Sequence, residues 1–184
     1  YNLNYFNKLD SVGSSLFIGV QLANYQTDFD NLIDESIQIE ESQVNSQQQN
    51  SGKNDIEILS AQADYIKPLS SHFMAEFGAK VSAVNVDANT AFFDLQDGEV
   101  PQRNETLSNN FTYDEKIVAS YLNFKGKINT STNFSFGIRA EFTDYQLKTS
   151  LATELPIEDN YLNFFPNASI KKKMAEESNL YLSY

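Results

Sequence analysis

Few side chains in this 184-residue sequence combine the type and spacing that chemistry requires. Its single histidine, His72, stands between Ser71 and Phe73. One imidazole cannot build a multi-histidine metal centre, and a histidine just after a turn reads as solvated rather than as a ligand. With no cysteine, thiolate nucleophiles, disulfides and thiolate metal sites are excluded. Asp94, Asp97 and Glu99 fall in the run Asp-Leu-Gln-Asp-Gly-Glu. They resemble part of a calcium loop without its full ligand pattern, so they are weak metal candidates beside a solvated loop. The carboxylate pairs Glu40–Glu41 and Glu176–Glu177 lie in polar stretches where nothing would desolvate them, and no raised-pKa acid is expected. No catalytic residue and no cofactor are assigned, and the chain is not expected to be an enzyme.

The residues that remain of interest are held by strands. From Asn133 to Tyr145, Phe134, Phe136, Ile138, Ala140 and Phe142 alternate with Ser135, Gly137, Arg139, Glu141 and Thr143. A period of two sends these sets to opposite faces of a sheet. The split recurs where Phe73, Ala75, Phe77, Ala79, Val81 and Ala83 alternate with Met74, Glu76, Gly78, Lys80 and Ser82, and again over Leu16 to Ala23. Weaker versions at 2–8, 59–65, 117–124, 162–170 and 180–184 bring the expectation to about eight antiparallel strands in an all-β up-and-down meander. Short turns are expected at 10–13, 68–71, 126–132 and 171–178, and long polar loops at 27–53, 87–113 and 148–159. All short turns then fall at one end of the sheet and all long loops at the other, which is the layout of an outer-membrane barrel. Pro166 predicts a local bulge, and the stretch 38–53, with its Gln47-Gln48-Gln49 run and no periodicity, predicts a mobile segment.

In a barrel, Arg139, Glu141, Glu76 and Lys80 are candidates to face the lumen, as a solute path or, more plainly, as an ion-pair ladder in the wall. Phe73, Phe77, Phe134, Phe136 and Phe142 are then the candidates to face lipid. Lys plus Arg is 13 against 25 Asp plus Glu, a net charge of −12 that disfavours nucleic acid as a partner. Fourteen acids and three bases fall in the three long loops, so an anionic ligand is not expected to find its main contacts there. Divalent cations bridging to lipid headgroups, or a neutral ligand, fit those acids better. No apolar run approaches the ~20 residues of a spanning helix, which leaves membrane strands open.

Three runs carry a resemblance to a known family: DIEILSAQADYIKPL, EKIVASYLNFKGKINTSTNFSFGIRAEFTDY and NYLNFFPNASIKKKMAEESNLYLSY. Their order, with Gly137 to Glu141 followed by Phe165-Pro166 and a Leu-x-Leu-Ser-Tyr strand, resembles the C-terminal β-barrel of Bacteroidetes-type TonB-dependent outer-membrane receptors. The resemblance covers about 54–184 well and the first hairpin loosely. It implies a bacterial outer-membrane location, lipid as a partner, and a plug domain and an energy-coupling protein belonging to the full-length receptor. Barrels of that family close with about twenty-two strands, so the sequence is expected to be one β-barrel segment, without the plug, of a ligand-uptake receptor. An isolated segment would self-associate through its apolar faces. The alternative is a soluble secreted β-sandwich that binds glycans or mediates adhesion, in which two sheets would turn their apolar faces toward each other.

Overall fold

The computed structural model describes residues 1–39, 42–95, 100–151, 156–174 and 178–184. Among them lie nine strands: β1 (Asn2–Lys8), β2 (Ser15–Ile39), β3 (Ser42–Pro68), β4 (Phe73–Leu95), β5 (Gln102–Arg103), β6 (Asn109–Asn129), β7 (Thr132–Thr149), β8 (Ile157–Lys173) and β9 (Asn179–Ser183). All pair antiparallel in one sheet, in the order β1-β2-β3-β4-β6-β7-β8-β9, with the two-residue β5 added beside β4. The meander expected from the alternation is present, the extra strand being β5. The sheet does not close on itself. The described residues hold no second sheet, so the sandwich alternative lacks the partner that would cover its apolar face.

The strands run far beyond the expected boundaries. Residues 27–53, read as a loop, continue the β2–β3 ladder from Thr27↔Asn54 to Ile39↔Ser42. β4 likewise extends to Leu95, and β6 starts at Asn109. Amide–carboxylate bonds hold the polar extension. Gln47 and Gln49 donate to Asp34 and Asp30 on β2 at 2.6 and 2.8 Å, and Gln48 donates to Asp94 on β4 at 3.0 Å. Gln47 and Gln49 share one face and reach β2, and Gln48 on the other face reaches β4, so the three together tie β3 to both neighbours. Low-complexity polar sequence thus forms a ladder through cross-strand side-chain pairs rather than through burial.

The turn end is tighter. Asp10 Oδ1 accepts the backbone N–H groups of Val12, Gly13 and Ser14 at 3.0, 2.9 and 2.8 Å. Gly13 takes φ +105°, a left-handed geometry in which a side chain is strained. Bonds from the Ser14 side chain and backbone, then Lys67 and the Gly13 N–H, hold the Asp10 carboxyl well below the usual carboxylate range, against a smaller opposing effect of desolvation. Pro166 forms no bulge: it stays in register opposite Ile138. Two residues on, Ala168 exchanges both backbone bonds with Tyr184, on the side away from β7. Pro166 shares that orientation, so its missing N–H removes no bond to β7. The lysine run at 171–173, expected in a turn, is the end of β8, where the Lys173 N–H donates to the Ser131 carbonyl at 2.8 Å.

Candidate functional site

Residues paired directly across strands share a face of a sheet. One row runs Tyr65, Phe77, Leu122, Ile138 and Pro166. The neighbouring row on the other face runs Glu76, Asn123, Gly137 and Asn167. By this register Phe73, Phe77, Phe134, Phe136 and Phe142 occupy one face, and Glu76, Lys80, Arg139 and Glu141 the other. A water-soluble sheet covers its apolar face. Here Phe73 and Phe77 are 46% exposed, Phe136 50% and Phe142 44%, while the side chains of Glu76 and Glu141 are 18% and 23% exposed. The charged side is the crowded one, as on the concave surface of a barrel wall.

The apolar face is also bounded in height. On β4 it extends from Phe73 to Ala83, about 33 Å along the strand at ~3.3 Å per residue, or about 25 Å of depth for a strand tilted about 40°. Its rings pack on one another: Phe134 lies 5.9 Å from Phe73 and 6.1 Å from Phe136, centroid to centroid, and Phe124 lies 5.2 Å from Phe136. Gly126 sits among them because a Cβ there would stand 2.6 Å from Phe73 and 2.8 Å from Phe134.

The charged face holds two polar clusters. The Tyr121 hydroxyl donates to Asp64 Oδ1 at 2.7 Å and to Glu76 Oε1 at 3.5 Å. Lys125 Nζ pairs with Glu76 Oε2 at 2.5 Å, and Gln62 donates to Asp64 Oδ2 at 3.2 Å. Tyr121 reaches Asp64 over Gly78, where an added Cβ would strike its ring. In the second cluster Arg139 Nε and Nη2 both donate to Glu141 Oε2, at 2.9 and 2.8 Å. The expected ion-pair ladder therefore takes another form. Arg139 and Glu141 pair along one strand, the cation of Glu76 is Lys125, and Lys80 pairs with none of the described carboxylates.

Beyond the apolar band the two faces exchange character. The outer positions of β2 turn from Leu22 to Asn24, Gln26 and Asp28, while the inner ones become Tyr25 and Phe29. On β4, Ala83 gives way outside to Asn85 and Asp87, and the inner face acquires Val84 and Val86. β6 and β7 repeat the exchange, with Asp114 and Lys116 or Asp144 and Lys148 outside, and Tyr113 and Ile117 or Tyr145 and Leu147 inside. Outside, Asn85 donates to Asp114 at 2.8 Å and Gln146 to Glu158 at 3.2 Å, beside an open cleft of about 740 Å³. Inside, Tyr113 and Tyr145 lie 6.1 Å apart and Tyr145 and Tyr161 6.5 Å apart, centroid to centroid. The Tyr113 hydroxyl donates to Glu115 Oε1 at 2.8 Å. Burial, and then the Glu115 hydrogen bond and charge, push its pKa up to about 12. Sequence reasoning missed this ring group, although the shift of the apolar residues from even to odd positions was its signal.

The remaining sequence candidates are scattered. His72 is exposed in the β3–β4 turn, its Nδ1 2.9 Å from Ser71 Oγ. Both carboxylate oxygens of Asp94 accept amide donors, from Gln48 at 3.0 Å and Asn104 at 2.8 Å. Asp97, Glu99, Glu40–Glu41 and Glu176–Glu177 lie outside the described residues. Among the described residues no three metal-ligating side chains come together.

A single open sheet with an uncovered apolar band of membrane height is the wall of a membrane barrel, and a family profile described as the outer membrane protein beta-barrel family matches residues 7–184. The chain belongs to that family. Solved barrels show the same fold. It is similar to the ferric-catecholate import receptor Fiu of E. coli K12, at TM-score 0.67 and 11% identity over 100% of this chain and 34% of that one. It is similar to FpvA of P. aeruginosa, solved bound to heterologous pyoverdines, at TM-score 0.58 and 12% identity over 98% of this chain and 25% of that one. The ferric citrate transporter FecA gives TM-score 0.56 and 13% identity over 91% of this chain and 26% of that one. This outer-membrane barrel chain thus spans about a quarter to a third of those proteins, and no curated protein sequence matches it.

Proposed function

We propose that the chain is one continuous, plug-free wall segment of an outer-membrane receptor that takes up a ligand, of the TonB-dependent type and, from its ordered sequence runs, of the Bacteroidetes kind. The observation that carries the reading is the reversed order of exposure: Phe136 and Phe142 open, Glu76 and Glu141 enclosed, within a band about 25 Å tall. Phe73, Phe77, Phe134, Phe136 and Phe142 then meet lipid, while Arg139, Glu141, Glu76 and Lys80 line the lumen. A plug domain and an energy-coupling protein of the full-length receptor are the partners this reading requires. The polar clusters support transport rather than catalysis, since the carboxylates of Asp64, Glu76 and Glu141 are occupied by wall donors. The import receptors with the same fold support uptake of a ligand as the function. The long strands past the band fit a projection into the outside medium, where ligand is first met. Cell fractionation tests the reading. The full-length protein partitions with the outer membrane and migrates faster before boiling than after, and a water-soluble full-length protein would refute it.

A further inference from the structure

We infer that the inner face of the strands beyond the apolar band is a contact surface for an uncharged or cationic solute bearing a flat ring, and that it rejects anions. The inference rests on the receptor reading above and names the class of solute that this part of the wall accepts.

The first ground is charge. Among the described residues, the inner positions of β2 from Tyr25, β3 from Ile58 toward Ser46, β4 from Ser82, β6 up to Ile117, β7 from Thr143 and β8 up to Tyr161 hold no lysine or arginine. Glu115 and Asp159 are there, directly across from Tyr145 on its two neighbouring strands. The nearby cations Lys53, Lys116 and Lys148 stand on the outer face, with Lys53 paired to Asp55 at 2.7 Å, and the next inner cation on β4 is Lys80, four residues or about 13 Å along the strand from Val84. An anion at the level of Tyr113 and Tyr145 therefore meets Glu115 and Asp159 first, while Lys80 lies beyond a screening length of about 8 Å at physiological salt. The second ground is shape. Tyr113, Tyr145 and Tyr161 form a chain of ring contacts, and Val84 and Val86 occupy the same face on the neighbouring β4. The pairs are tilted by 36° and edge-on at 64°, and tyrosine ring faces offer stacking surface and a negative quadrupole, which favours flat neutral rings and cations.

Riboflavin and riboflavin 5′-phosphate serve as matched probes, since they share one ring and differ by a phosphate. Methylene blue supplies the cationic ring. Binding to the full-length protein in lipid nanodiscs is read by fluorescence, with empty nanodiscs subtracted. Riboflavin and methylene blue bind at least tenfold more tightly than the phosphate at low salt, and the gap narrows in 0.5 M NaCl. Tyr145→Ala weakens riboflavin about three- to tenfold while Tyr145→Phe retains it, and Glu115→Gln with Asp159→Asn shrinks the discrimination against phosphate. Absence of flavin binding, equal or tighter binding of the phosphate, or affinity untouched by Tyr145→Ala overturns this inference and leaves the receptor reading standing. A full-length protein found outside the outer membrane removes the receptor reading instead.

Discussion

Placing one arginine at successive outward positions of β7 measures the lipid face directly. The outward apolar residues run from Phe134 to Phe142, with Ile138 at the centre. Each outward step is two residues, about 6.6 Å along the strand and about 5 Å in depth at a tilt of about 40°. Ile138→Arg puts the charge at the midplane and costs about 2–4 kcal/mol; Phe136→Arg, about 5 Å away, costs slightly less; Phe142→Arg, about 10 Å away, costs about 0–1 kcal/mol. Arg139→Gln changes the opposite face. It breaks a pair whose side chains are 34% and 23% exposed, so after discounting for solvent it costs about 0.5–1 kcal/mol. The assay is equilibrium unfolding of the full-length protein in urea from lipid vesicles, with the electrophoretic shift on heating as a check on the folded fraction. Equal costs along β7, or an Arg139→Gln cost matching that of Ile138→Arg, would falsify the assignment of the two faces.

Four further outcomes are expected. In ultraviolet titration, one tyrosine ionises near pH 12 and disappears in Tyr113→Phe, and Glu115→Gln moves that step down; its neutral-form contribution to stability is complete below the unfolded value of about 10 and lost as pH rises through about 12. Asp10→Asn loosens the β1–β2 turn at pH 7, measured as faster amide exchange at Gly13 and Ser14. Because the folded carboxyl has a lowered pKa, its stabilisation exists above the unfolded value of about 4 and fades as pH falls, so an unchanged difference between variant and wild type at pH 2 and pH 7 would count against it. Gly78→Ala pushes Tyr121 off Asp64 and costs about 1–3 kcal/mol of stability, most of it absent when Tyr121→Ala is already present, so additive costs would remove the ring-over-glycine explanation. The isolated 184-residue segment in water forms oligomers by light scattering, and a monomer that binds hydrophobic dye strongly would contradict this.

How much of this wall was legible depended on the phase of its alternation. Phe134 to Phe142 and Phe73 to Ala83 marked strands and the division into an apolar and a polar face from the chain alone, because a different environment on each side imposes a period of two. At Ala23, Val84, Ile117 and Tyr145 the apolar residues change from outward to inward positions. In sequence this slip ends the pattern, and 27–53 read as a loop. In the folded sheet the backbone ladder continues unbroken while the apolar residues pass from the outer face to the inner one. The pairing of Gln48 with Asp94, separated by 46 residues, and of Tyr121 with Asp64, separated by 57, likewise depends on register. Composition determined that the outward-projecting end is acidic. Only the tertiary structure decided that its cations stand outside and its tyrosines inside, since the face of a residue follows from strand pairing and not from its neighbours in the chain.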